Sequence, residues 1–113
     1  MPYDEVMLIR CPPDEAGLDA VISRVRVQPG GRRLMFFHGP GLDWAESAIA
    51  RQRLAAATQA ATLMLCSAGW RRRGGAAVPA GWQLGSLMQF WDAADRCAEI
   101  ASFGRLDGGS RDE

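Results

Sequence analysis

Cys66 closes the short apolar run Ala61-Thr62-Leu63-Met64-Leu65 and is followed at once by Ser67-Ala68-Gly69-Trp70-Arg71-Arg72-Arg73-Gly74. This pattern delivers a thiol to the carboxyl end of a buried strand, with a turn of small residues beside it and three arginines within reach. Positive charge next to a thiol favours the thiolate, which is the nucleophilic form. Arg71, Arg72 and Arg73 are the candidates for that charge. The backbone N–H groups of a turn through Ser67, Ala68 and Gly69 would hydrogen-bond the sulfur as anion nests do. Reacting groups in parallel α/β sheets gather outside the carboxyl ends of the strands, where loops vary freely. A second reading stands beside this one: free cysteine is among the most buried residue types, and a thiol ending an apolar run is often a small core hydrophobe.

Three further positions have chemistry to offer. Cys11 also follows a strand and would be a resolving thiol if the sheet sets that strand beside the one ending at Cys66; otherwise it packs. Cys97, one turn beyond Ala94, reads as core. His38 is the sole histidine and ends a strand before Gly39-Pro40-Gly41. That position suits a proton shuttle or substrate contact, and equally a hydrogen-bonded structural role. One histidine is too little for a metal site. The Pro-interrupted glycine pair lacks the fingerprint and the basic side chain of a phosphate cradle. Trp70 and Trp82 flank the cysteine segment, as shields for the thiol or as interface residues.

The elements that must position these groups alternate. Val6 to Ile9 is an apolar run stopped by Pro12 and Pro13. Asp14 caps a helix running to about Arg26, with Leu18, Val21, Ile22 and Val25 on one stripe. Leu34 to Phe37 is the next strand. Asp43 through Ala60 reads as one long alanine-rich helix with Trp44, Ala45, Ala48, Ile49 and Leu54 on one side. The strand ending at Cys66 follows, then a loop from Gly74 to Gly85, a helix from Ser86 to Arg96 and a last strand from Glu99 to Phe103. Such alternation implies right-handed crossovers and a mostly parallel sheet of four to five strands between helical layers, a three-layer α/β/α sandwich. Residues 1–105 form the single domain, and the polar, glycine-rich 106–113 reads as a disordered tail.

Composition limits the function classes. The 113 residues carry 13 basic and 13 acidic side chains, a formal net charge of zero. Nucleic-acid binding needs a basic surplus, so it is not expected. No apolar stretch approaches the roughly 20 residues that span a bilayer, and no secretory signal is evident, so a cytoplasmic protein off the membrane is expected. Three cysteines without a Cys-x-x-Cys pair fit reduced thiols better than a disulfide framework or zinc site. The apolar stretch from Leu84 to Trp91 gives a small domain more apolar surface than it hides easily, which oligomerisation would cover.

The segment LCSAGWRRRG resembles the cysteine segment of the DsrE/TusD family of sulfur-relay proteins, in which small residues and then Arg-Arg-Gly follow a strand-ending cysteine. Cys66, Arg72, Arg73 and Gly74 keep that spacing. Arg33 to Gly41 resembles the family's second strand and its glycine loop, although His-Gly-Pro-Gly stands where an Asp-Gly-type turn is frequent. Gly85 to Gln89 and Ile100 to Gly104 resemble the last helix and strand, so the likeness spans roughly residues 5 to 104. It implies a DsrE-like fold and a sulfur carrier or sulfurtransferase component holding sulfur as a persulfide on Cys66. It further implies donor and acceptor proteins as partners, no metal or organic cofactor, and a homo-oligomer, a trimer foremost, or an assembly with paralogous subunits. Two alternatives stay open: a non-catalytic assembly or regulatory subunit whose cysteine merely packs, and a small-molecule-binding domain using the His38 loop.

Overall fold

The computed structural model describes residues 3–28, 30–97 and 99–104; the tail expected over 106–113 lies outside them. The strands are β1 (Glu5–Ile9), β2 (Arg33–Phe37), β3 (Ala61–Cys66), β4 (Trp82–Gly85) and β5 (Ile100–Phe103). The helices are α1 (Glu15–Val27), α2 (Asp43–Glu46), α3 (Ala48–Ala57), α4 (Ser67–Arg72) and α5 (Leu87–Ala94), with a 3-10 turn over Gly39–Leu42. All neighbouring strands pair in parallel, in the order β4-β3-β2-β1-β5. β1 and β2 are buried along their whole length, as central parallel strands covered on both faces must be.

The order of strands fixes where the helices lie. From β1 to β4 the chain steps across the sheet in one direction, so right-handed crossovers put their helices on one face. Val21, Ile22 and Val25 of α1, Trp44 of α2, Leu54 of α3 and Trp70 of α4 all pack there against Met7, Ile9, Met35, Phe37 and Leu65. From β4 the chain returns past β1 to β5, which reverses the step and sends α5 to the other face. There Phe90 and Ala94 cover Val6, Leu8, Leu34, Phe36, Met64 and Cys66. The connections part at the carboxyl ends of β3 and β4, where parallel α/β sheets open a crevice.

Local signals act as expected in several places. The Asp14 carboxylate accepts the Gly17 N–H at 2.8 Å and starts α1. Ser86 and Gln89 form a reciprocal capping box at the start of α5. The expected helix over Asp43 to Ala60, however, is broken. Ser47 adopts an extended conformation and its hydroxyl caps α3 by accepting the Ala50 N–H, a local bond that competes with helix continuation. The break resets the phase, so Ala50, Leu54 and Ala57 face the core while Ile49, expected inside, is 60% exposed.

The Gly74 to Gly85 segment, read as loop, supplies the fifth strand. β4 is a short edge strand whose Gln83 and Leu84 are exposed, so no apolar run announces it. α5 ends at Ala94 rather than Arg96, and β5 starts at Ile100. At the amino ends of the strands, Arg33, only 2% exposed, is held by Glu5, by the Thr58 hydroxyl and by the Gln28 carbonyl. Arg24 pairs with the same Glu5, so this buried charge is matched.

Gly41 seats the turn after β2. A Cβ on it would overlap the Ile9 carbonyl oxygen, and backbone cannot yield as a side-chain tip can. Gly41→Ala is therefore expected to destabilise the fold by about 1–3 kcal/mol, the usual cost of overpacking. Urea denaturation of the variant checks this.

Candidate functional site

The site is built at the carboxyl edge of the sheet. Cys66 is the last residue of β3 and the N-cap of α4, and it is paired in register with Gly85 of β4. It is 6% exposed and packs on the α5 face among Phe36, Met64 and Phe90. A Cβ at Gly85 would overlap the Met64 side chain, which would have to move aside. Leu8, Phe36 and Met64 point to the α5 face, so the alternation of side chains along β-strands carries Arg10, His38 and Cys66 onto that same face. The strand ends are held in line by the His38 N–H donating to the Ile9 carbonyl at 3.0 Å and the Arg10 N–H donating to Phe103 at 2.8 Å. The His38 ring stacks over Phe36 with centroids 6.5 Å apart.

The segment after Cys66 differs from the expected turn. Ser67, Ala68 and Gly69 form the first turn of α4, and the Cys66 side chain makes no capping hydrogen bond there. The nest of N–H groups around the sulfur is therefore absent among the described residues. Gly69 contributes instead by lacking a Cβ. The point that its Cβ would occupy lies 3.8 Å from the Cys66 Sγ, 3.9 Å from an Arg72 Nη and 2.8 Å from a Leu42 methyl. A Cβ would therefore crowd Leu42, and Gly69 also lines, with His38, Gly39, Leu42, Arg72 and Arg73, a neighbouring cleft of about 200 Å³.

The three arginines part company for a physical reason. Trp70, 4% exposed, anchors α4 from below and donates its indole N–H to the Ala76 carbonyl at 2.7 Å. Gly74 and Gly75 close the helix with N–H bonds to the Arg71 and Trp70 carbonyls, both with positive φ, as in a Schellman end. Arg73 is engaged elsewhere: its guanidinium reaches Asp43 at 2.7 Å, Glu46 at 3.3 Å and the Gly39 carbonyl at 3.3 Å. It clamps the His38 loop to α4 and spends its charge on two carboxylates. Arg71 is exposed and has no side-chain partner among the described residues. Arg72 alone of the three shares a point of close approach with Cys66.

Cys11 does not meet the condition for a resolving thiol. β2 lies between β1 and β3, and Cys11 packs on the α1 face, opposite to Cys66. Burial pushes its thiol pKa up, with Asp14 adding to the rise. Cys97 packs at the edge of the α5-side core, as expected, and its S–H is within bonding distance of the Tyr3 and Glu99 carbonyls. Trp70 and Trp82 belong to the opposite core, Trp82 against Phe37 at 4.9 Å, so neither shields the thiol. Arg10 was not anticipated as a site residue. Its signal is its offset of two from Leu8 at a strand end.

His38 is half-buried, and burial, followed by the charges of Arg10 and Arg72, holds its pKa below the ordinary value. The unfolded chain therefore takes up a proton first as the pH falls. The contribution of neutral His38 to stability is complete above its unfolded pKa of about 6.5 and is lost progressively below it. His38→Gln is expected to flatten this loss, which thermal melts of both proteins across that range measure.

The fold is a DsrE-like α/β sandwich, with a thiol where the crossovers part. Among solved structures the chain is similar to the ychN protein from E. coli, at 13% identity and a TM-score of 0.70, covering 90% of this chain and 100% of that one. Such an identity shows the fold alone. No protein-family profile matches the chain, and no curated protein matches it in sequence.

Proposed function

We propose that the chain is a sulfur carrier, a component of a persulfide relay, with Cys66 as the residue that holds the sulfur. The observation that supports this best is the thiol at the end of β3, where the connections from β3 and β4 part, with Gly69 and the Arg72 guanidinium close to its sulfur. The Cys66 thiolate attacks the outer sulfur of a donor persulfide; the donor S–S bond breaks, the donor thiolate leaves, and a Cys66 persulfide forms. Attack by an acceptor thiolate on that outer sulfur reverses the bond changes and restores Cys66. Arg72 supplies the nearby positive charge. Incubation with a persulfide donor followed by intact mass spectrometry and peptide mapping tests the reading, which expects ~32 Da per sulfur on the Cys66 peptide. Loading only on Cys11 or Cys97 contradicts it.

The same reading places the protein in the reducing cytoplasm, where its three thiols stay free, and expects donor and acceptor proteins as partners. No helix among the described residues is long and apolar enough to cross a membrane. Leu84, Leu87, Met88 and Trp91 are exposed around α5, in keeping with a homo-oligomer, a trimer or an assembly with paralogous subunits; light scattering reads the state. One observation favours a different role: at 6% exposure, Cys66 also suits packing in a non-catalytic assembly subunit. Thiol labelling of the native protein separates the two, since a carrier reacts and a packing residue reacts only after denaturation.

A further inference from the structure

We propose that the groove between α3 and the edge strand β4 is a binding site for a small aromatic carboxylate. It is separate from Cys66: Leu63 and Trp82, which line the groove, pack against the first core, and Cys66 belongs to the core on the opposite face of the sheet.

The groove holds about 530 Å³, within the roughly 300–1,000 Å³ usual for small-molecule sites. Its place follows from the phase that the break at Ser47 gives to α3. Ala50 and Leu54 take the core-facing stripe, and Arg51 and Ala55, each one residue on, line the groove. Alanine at position 55 leaves room that a longer side chain would fill. β4 is the edge strand of the described sheet, so the groove stays open on its outer side. Leu54 and Leu63 supply an aliphatic floor and Trp82 an aromatic wall. Trp82 is half-buried and packs inward on Phe37 with ring centroids 4.9 Å apart. Trp44 and Trp70, in the same core, donate their indole N–H groups to the Cys11 and Ala76 carbonyls at 2.9 and 2.7 Å. The Trp82 indole N–H has no acceptor among the described residues.

An aromatic wall over an aliphatic floor suits a flat apolar body. The polar side of the groove sets the charge. Arg51 lines it and donates from one Nη to the Ala45 carbonyl at 2.6 Å, and its guanidinium has no carboxylate partner among the described residues. No acidic side chain lines the groove among the described residues, so its one cation is uncompensated there. A guanidinium presents a planar fork of donors that matches a carboxylate, and the Gln52 amide, also lining the groove, adds a neutral donor. An aryl ring bearing a single carboxylate meets both demands, with its ring against Trp82 and its charge toward Arg51.

The probe is 2-naphthoate, with uncharged 2-naphthamide as a control of the same shape. In NMR spectra of the indole N–H groups, the Trp82 signal, assigned with Trp82→Phe, is expected to shift saturably with 2-naphthoate. The signals of Trp44 and Trp70, whose N–H groups are engaged within the protein, are expected to move less. The amide is expected to bind on the order of tenfold more weakly, the worth of one hydrogen bond between charged groups. Arg51→Gln is expected to remove that difference by weakening the carboxylate alone. Ala55→Phe, at an exposed position, fills the groove and is expected to abolish binding with the circular dichroism unchanged, which locates the site even if Arg51→Gln fails to fold. Cys66→Ser is expected to bind as the parent does, so the result is independent of sulfur loading. Absence of a saturable Trp82 shift, equal affinity for the two probes, or undiminished binding by Ala55→Phe overturns the proposal.

Discussion

Cys66→Ser is expected to abolish sulfur loading completely, while Cys11→Ser and Cys97→Ser leave it intact. The three thiols differ in setting. Cys66 stands where the connections from β3 and β4 diverge, close to Gly69 and Arg72. Cys11 lies on the other face of the sheet, and burial raises its thiol pKa, which lowers the fraction of reactive thiolate at neutral pH. Cys97 lies at the edge of the core with its S–H directed to backbone carbonyls. Serine is nearly isosteric, so circular dichroism of Cys66→Ser should match the parent. Intact mass after exposure to a persulfide donor reads the result, and residual loading of Cys66→Ser would move the function to another thiol.

The largest loss of stability is expected from Phe90→Ala, at about 3–5 kcal/mol. Phe90 is fully buried and packs on Phe36 with ring centroids 5.6 Å apart. α5 is the one described helix whose residues cover the second face of the sheet, so no neighbouring helix there can refill the space. The same truncation unroofs Cys66, and native-state alkylation of its thiol should accelerate. Urea denaturation gives the first quantity and a thiol reagent the second. A loss below about 1 kcal/mol would mean that the face is covered by something else.

The alternation of strands and helices was legible because central parallel strands need continuous apolar runs, and Val6 to Ile9 and Leu34 to Phe37 are such runs. α1 was legible through its cap at Asp14 and its stripe. β4 was hidden because an edge strand that exposes Gln83 and Leu84 carries no comparable pattern. The break at Ser47 was hidden by the alanine content around it, which favours helix on both sides of a hydroxyl that caps.

At the site, the position of Cys66 followed from the end of its strand, but its neighbours depended on the order of strands. That order separates Cys11 from it and brings Arg10 and His38 into its row. Three consecutive arginines look alike in sequence. Their roles part only when Trp70 sinks into one core and fixes the rotation of α4, which turns Arg73 to Asp43 and leaves Arg72 near the thiol. Gly69 was singled out for its backbone N–H, whereas its missing side chain lets the Leu42 methyl approach α4 closely.

The central claim is that Cys66 holds sulfur that can move on, and a chase experiment tests it most directly. Protein loaded with isotopically labelled sulfur is freed of donor and mixed, under native conditions, with an acceptor thiol of known mass. The account predicts that the label leaves the Cys66 peptide and appears on the acceptor as one added sulfur, with the fold unchanged throughout. A label that stays on Cys66 until the protein is denatured would contradict the account and make Cys66 a packing residue of the α5-side core.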